Sequence, residues 1–446
     1  MNQEIADILE RQLAYAQTKS DQGELVVMRS SSFSTSSFNK KTDKLSINQG
    51  QTVGIRIIKD GRVGISYSED FNEESIRIAI EQACANSKYM KEEPHERIQS
   101  SNLVLQNTNE KNQLKRVSST QEKIELSITL EEEILTMDPL IKSAPYNGVS
   151  EGTHEYYNFN TEGLRVFESG GSVSCYTSCL MEDGAQNGMH YVSSVARDLS
   201  DLDVDYVLQE SYRKSKQLFL AQTVPSGDYD VIFTTDILSQ LFSTFGRIFS
   251  GKLSAENKNP LFSKLGQNIF DSRLTLQDDP VFEKAFSHHI FDCEGLEQSA
   301  LTVIEQGKYQ TLFHNSKTAS ELNMINNRRA SRGTRGPLGT SATNKIIVAS
   351  ISVPEDEMYS TPFVEIFSLQ GVHSGADAVS GDFSFGASGI LHDGDKATPI
   401  KGFTVSGNFY TMLNRIDAFG DVQHASTGAS FFSPKIKFKD LHLSGA

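Results

Sequence analysis

"GDFSFGASGILHDGDKATPIKGFTVSGNFYTMLNRIDAFGD", Gly381 to Asp421, is the stretch on which the fold turns. Apolar residues alternate with polar or small ones over two long runs, the period of a half-buried strand. Asp393-Gly394 separates the runs and reads as a hairpin turn. A short helix is expected around Tyr410–Ile416, with strand signals on both sides. Frequent glycine lets a sheet bend sharply or lets a second backbone approach closely. The run predicts a large, strongly curved antiparallel sheet or an open barrel. The closing residues "SPKIKFKDLHLSG" alternate as well and extend it.

Upstream, "DILSQLFSTFGRIFSG" (Asp236–Gly251) reads as one helix. Ile237, Leu238, Leu241, Phe242, Phe245, Ile248 and Phe249 recur at helical spacing and mark a buried face. "TVPSGDYDVIFT" before it supplies a Pro/Gly break and a new strand, which places the main domain boundary near residue 223.

The first half mixes strands with helices. Ile5, Ile8, Leu9, Leu13 and Ala16 form one stripe of an amphipathic helix. "IRIIKDGRVGISYS" is a hairpin with Asp60-Gly61 at its turn, and Asn72 caps a following helix. Residues 91–116 are polar and aperiodic, an expected linker or exposed excursion. A helix near 119–137 keeps its acidic residues on a wet face, strands fill about 143–196, and a helix near 203–221 closes this half. The expected fold class is α+β: an N-terminal α/β domain over residues 1–222, with a possible sub-boundary in 91–116, and a β-rich C-terminal domain over 223–446.

Composition narrows the function. The chain has 446 residues, 37% of them hydrophobic, and a formal net charge of −15. A dedicated nucleic-acid binder shows a basic footprint, which is absent here. The N-terminus lacks the basic and then apolar regions of a signal peptide, and no window approaches the roughly 18 apolar residues of a membrane span. Cytoplasmic residence is the expectation. Cys84, Cys175, Cys179 and Cys293 are too few and scattered for a disulfide scaffold. On a strand, Cys175 and Cys179 would share a face about 13 Å apart, too far to bridge.

No H-E-x-x-H, phosphate loop or G-x-S-x-G elbow occurs. His288, His289, Asp292, Cys293 and Glu294 are all metal-ligating types, yet adjacent histidines on a strand point to opposite faces. That segment reads as ordinary strand and turn. "MINNRRASRGTRGPLGTS" packs Arg328, Arg329, Arg332 and Arg335 into one loop, a local reversal of sign suited to a peptide carboxylate or an acidic partner. The small-residue run Ser374–Gly389, containing Asp382, Ser384 and Gly386, suits either sheet curvature or an extended-peptide groove formed by strand addition.

Several of these segments together resemble the PmbA/TldD family. "VSGDFSFGASGILHDGDKATPIKGFTVSGNF" is similar to its G-D-F-S-x-G-A-x-G segment, and "FDCEGLEQSALTVIEQGKYQTLFHNSKTASELNM" to its F-D-x-E-G stretch. "RIDAFGDV" and "QTVGIRIIKDGRVGISYSEDFNEESIRIAIEQACANSK" resemble two further elements, so the likeness spans nearly the whole chain. The resemblance implies a cytosolic peptidase system that cuts unstructured peptides inside a closed cavity. In it a TldD-type subunit carries H-E-x-x-x-H and a C-terminal cysteine as metal ligands, while the TldE (PmbA) type lacks them and pairs with it.

Laid on that pattern, the two histidine positions fall on Ser243 and Ile248, the glutamate position on Thr244, and the cysteine position near Gln423–His424. Zinc needs imidazole or thiolate ligands and a carboxylate to activate water. The resemblance therefore implies a TldE-like, metal-free and catalytically silent subunit that shapes the chamber and dimerises with itself or with a TldD-like, zinc-bearing partner. Candidate peptide contacts are Arg328, Arg332, Asp382, Ser384 and Gly386. The alternative is a stand-alone homodimeric peptide- or protein-binding regulator with no proteolytic role.

Overall fold

Asp60 and Gly61 both adopt positive φ, 51° and 68°, as a two-residue hairpin turn with right-handed strand twist requires. In the computed structural model, which describes residues 2–101, 104–106 and 109–445, this turn is part of the first of two large sheets. The chain begins α1 (Gln3–Gln17), β1 (Gln22–Phe38), β2 (Lys41–Lys59), β3 (Arg62–Ser68), α2 (Glu73–Ser87), β4 (Val104–Gln106) and α3 (Thr120–Thr136). It continues through β5 (Ile141–Ser143), β6 (Asn147–Asn160), β7 (Arg165–Glu182), β8 (Asn187–Ala196) and α4 (Val204–Leu220). Among the described residues the strand order is β3-β2-β1-β6-β7-β4, with β5 and β8 also on β7.

Caps fix the helix starts. Asn72 accepts from the Ser75 amide at the head of α2, and Ser119 forms a reciprocal capping box with Glu122 at the head of α3. Ile5, Leu9, Leu13, Ile76 and Ile80 pack on Leu25, Val27, Ile55 and Ile57, while α3 and α4 cover Val173, Cys175, Cys179 and Met181. Cys175 and Cys179 are free, share the covered face as expected, and burial pushes both thiols up to about 11. The wet acidic face expected of α3 is incomplete: Glu131 is buried and accepts from the Lys40 amide.

The second half runs β9 (Gly227–Phe233), α5 (Thr235–Phe245), α6 (Gly251–Ala255), β10 (Leu274–Asp278), β11 (Leu301–Glu305), β12 (Lys308–Tyr309) and α7 (Ser316–Glu321). Then come β13 (Ala330–Ser331), β14 (Gly339–Thr340), β15 (Lys345–Ala349), β16 (Phe363–Gln370), β17 (Asp382–Asp393), β18 (Lys396–Asn408), α8 (Phe409–Met412), β19 (Ile416–Ala425) and β20 (Phe431–Ser444). The hairpin of the opening stretch forms with Asp393 paired to Lys396, so its two central residues are Gly394 and Asp395.

The curved sheet or open barrel expected here forms, and it closes on itself. β9 pairs in parallel with β16 and antiparallel with β20, which completes the ring β9-β16-β17-β18-β20. Curvature comes from register shifts at Ala387/Ser388 and Ile366/Ser368, and from Gly389, where a Cβ would lie 2.3 Å from the Glu365 carbonyl. The helix expected at Tyr410–Ile416 is a single turn, because Ile416 already pairs with Phe438.

Described residues within 91–116 bond to both halves of the chain. Arg56 of β2 bonds Glu96, while Asn109 and Asn112 donate to the His288 carbonyl of the second half.

Candidate functional site

The helix expected over 236–251 stops early. α5 ends at Phe245 and a 3₁₀ turn carries Gly246–Phe249. The Ile248 carbonyl, which a continuing helix would bond internally, instead accepts from the Tyr309 hydroxyl and the Asn259 amide. The apolar face is buried as its spacing predicts, from Ile237 at 8% exposed to Leu241, Phe242 and Phe245 at 0%. Phe245 stacks on Phe409 at 5.0 Å and Phe242 meets it edge-on at 5.2 Å, and the helix shares one core with Val231, Val364, Phe385 and Val405 of the barrel strands.

This geometry sets what the motif positions can do. Ser243 is exposed, and Thr244 spends its hydroxyl on the Gln240 carbonyl at 2.9 Å. Ile248 is 1% exposed within the core. Two short hydroxyls on the wet side and a hydrocarbon on the dry side do not converge on one point, so these residues do not fit a zinc ion. His424, near the expected fourth position, bonds Glu355 at 2.6 Å, and Glu355 pairs with Lys435 at 3.1 Å. Among the described residues no group of three or more His, Cys, Asp and Glu is placed to hold a metal ion.

The His288–Glu294 segment lies outside any strand, in irregular chain and turn. Asp292 accepts the amides of Glu294, Leu296 and Ala330, and Glu294 accepts from the Ser316 amide. Burial pushes Asp292 up to about 6 and Glu294 up to about 7. Nearby, burial lowers His314 to about 4, and away from this segment, on β8, His190 is lowered to about 4 by burial and Lys214. Both rings are therefore expected to stay neutral from pH 7 to pH 5 in side-chain NMR. An unfolded imidazole takes up its proton near 6.5. The two rings thus withdraw stability as pH falls from about 6.5 towards 4.

The four arginines do not form one open cationic patch. Arg329 is fully buried with Asp278. Arg332 is 7% exposed and pairs with Glu24 of β1, which also faces Arg56 at 3.5 Å. Arg335 pairs with Glu69 and lies over the Tyr67 ring. Arg328 stays exposed, with φ 62° and its guanidinium on the Glu297 carbonyl at 2.7 Å. The loop docks the second half onto the first sheet, and the site residue Arg332 is part of that dock.

Asp382, Ser384 and Gly386 share one outward row of β17, opposite Asn408, Ser406 and Thr404 of β18. Both backbone edges of this row are occupied. β18 takes one side, and Gly375, Asp377 and Gln370 take the other. Strand addition there would have to displace existing pairs, so this row can offer a peptide its side chains only.

Two concavities were not evident from the sequence. A cleft of about 720 Å³ crosses the first sheet, lined by Arg29, Ser31, Gln49, Gln51, Thr153 and Glu155 among others. Cross-strand register alone brings these residues together. A smaller hollow of about 240 Å³ lies beside Ile248, with Arg247 and Lys258 among its walls.

Three domain models match the chain: PmbA/TldA metallopeptidase domain 1 over residues 23–87, the central domain over 116–219 and the C-terminal domain over 226–445. The chain belongs to the PmbA/TldD family. It is 23% identical to the metalloprotease PmbA homolog of Haemophilus influenzae, over 90% of this chain and 88% of the relative. It is 22% identical to metalloprotease PmbA of Escherichia coli O157:H7, over 92% and 89%. The crystal structure of TldE from Thermococcus kodakarensis superposes with a TM-score of 0.86 at 22% identity, covering 98% of this chain and all of that one. Among the described residues no helix is long and apolar enough to cross a membrane.

Proposed function

We propose that this PmbA/TldD chain is the subunit without metal of a TldD/TldE-type cytosolic peptidase, shaping a chamber and holding unstructured peptides. The observation that carries this is Ile248. In the position where the family pattern would hold a ligand, the chain buries a hydrocarbon at 1% exposure, on a turn fixed by Tyr309 and Asn259. The likeness to a TldE structure across 98% of the chain supports the same reading. Zinc and the water-activating carboxylate then belong to a TldD-like partner.

Purification from the native host with metal analysis tests it: zinc is expected in the partner and none in this chain. The isolated chain is expected to leave casein uncut, and the complex to cut it. Chelator-sensitive cleavage by the isolated chain would refute the reading. Within the complex, Arg328→Ala is expected to weaken peptide cleavage severalfold through KM, since Arg328 is exposed and its guanidinium is held only by the Glu297 carbonyl among the described residues, whereas the exposed Arg335 is paired with Glu69.

A further inference from the structure

The cleft of about 720 Å³ lies between two helix pairs on one face of the first sheet. Alternation puts Arg29 on the face that carries Leu25 and Val27 under α1 and α2. Ser169 shares that face with Val173 and Cys175 under α3 and α4. Between the two covered regions the face is left to polar side chains. Register lays Gln51, Arg29, Glu155 and Ser169 in one cross-strand row, and Gln49, Ser31 and Thr153 in the next. Glu24, Gly54 and Arg56 alternate onto the opposite face, where the arginine loop of the second half docks. The cleft therefore opens away from that dock.

Much of the hydrogen-bonding capacity of these rows is unspent. Among the described residues the side chains of Ser31, Gln49, Gln51 and Thr153 bond to no other protein group. Arg29 and Glu155 meet at 3.1 Å, with side-chain exposures of 41% and 38%. An exposed pair of this kind contributes little. A ligand that brings both opposite charges can therefore replace it at little cost. Leu114 and Val117 add an apolar wall. The lining holds no aromatic ring on which a nucleobase would stack, and its guanidinium faces a carboxylate, which disfavours a phosphate.

We infer that the cleft binds a short peptide with both termini free, a di- or tripeptide. The Arg29–Glu155 pair opens, the peptide carboxylate docks on Arg29 and its ammonium on Glu155, each a charge-assisted contact. A peptide unit offers one donor and one acceptor, and a primary amide side chain offers both. Gln49 and Gln51 thus match the ligand's main chain whatever its sequence, and the apolar wall receives a side chain. The volume falls within the roughly 300–1,000 Å³ of small-ligand sites. Such peptides are the chemical class that a peptidase releases. That source rests on the subunit reading; the binding does not.

Trialanine titrated calorimetrically into the isolated full-length chain, without metal or partner, is expected to bind with a Kd of ~0.1–1 mM. Its C-terminal amide and its N-acetyl form are each expected to bind about tenfold more weakly. Arg29→Gln should erase the difference between trialanine and its amide while keeping the difference from the acetylated form. Glu155→Gln should do the reverse. Both side chains are well exposed, so an unchanged thermal transition is expected and confirms folding. Thr153→Trp, at an exposed position of the cleft, should lower the affinity more than tenfold by filling it. Trialanine binding no more tightly than its acetylated amide overturns the inference. So does a tight binding that survives Thr153→Trp and is lost in Arg247→Ala, at the hollow beside Ile248. Either failure leaves the subunit reading standing, because that reading turns on the metal content and cleavage of the complex.

Discussion

Arg329→Ala is expected to cost about 3–5 kcal/mol, the loss seen when one member of a buried ion pair is removed. Arg329 and Asp278 are both 0% exposed at the side chain. The guanidinium also donates to four main-chain carbonyls: Asp278, Ser299 at 2.6 Å, Asn327 at 2.9 Å and Arg328. It ties the arginine loop to β10 and to the segment before β11. Without it, the Asp278 carboxylate keeps, among the described residues, only the Thr343 amide at 2.7 Å and hydroxyl at 3.0 Å, inside a dry core. Calorimetry should place the transition of the C-terminal half lower by about 10 °C. Adding Asp278→Leu should recover only part of this, because the Thr343 donors then lose their acceptor. A single variant within about 1 kcal/mol of wild type would mean that the pair is not closed off from water.

Arg329 also shows where the sequence stops being informative. Elements governed by neighbouring residues were legible: the Asp60-Gly61 turn by its demand for positive φ, and the cap at Asn72 by its spacing. The α+β class and the curved C-terminal sheet followed from periodicity. What failed depended on distant partners. The apolar stripe of α5 gives no sign of its end, because Tyr309, 61 residues away, supplies the hydroxyl that holds the Ile248 carbonyl. Barrel closure needs the parallel pairing of β9 with β16, which no local pattern encodes. Four arginines in one loop are visible in the sequence, whereas the acid that meets Arg332 lies 308 residues earlier. The motif positions Ser243, Thr244 and Ile248 were legible only through the family resemblance. The cleft around Arg29 and Glu155 carries no sequence signal, since its wall is assembled by register across separate strands.

Glu24→Ala is expected to loosen the seam between the two halves at a cost of about 3–5 kcal/mol. Glu24 is the anion between two buried guanidiniums, Arg332 from the second half and Arg56 at 3.5 Å from its own sheet, with side-chain exposures of 3%, 2% and 1%. Arg56 would retain Glu96 at 3.1 Å. Arg332 would not be so placed: its Nε and Nη2 already lack hydrogen-bond partners among the described residues, and Glu24 is its anion. A buried, unpaired guanidinium is relieved by exposing it to water, so the arginine loop should lift from the sheet. Limited trypsin digestion reads this directly, with cleavage after Arg332 and Arg335 expected to accelerate well before global unfolding. Gly54→Ala gives an independent check without touching charge, because its Cβ would stand 2.1 Å from the Thr334 carbonyl and wedge the same loop outward. If both variants open the same tryptic sites, the loop is the dock between the halves. If Glu24→Ala leaves those sites closed and the melting temperature unchanged, the ion pair does not hold the seam. Arg332 would then be free for the peptide role that its sequence position suggested.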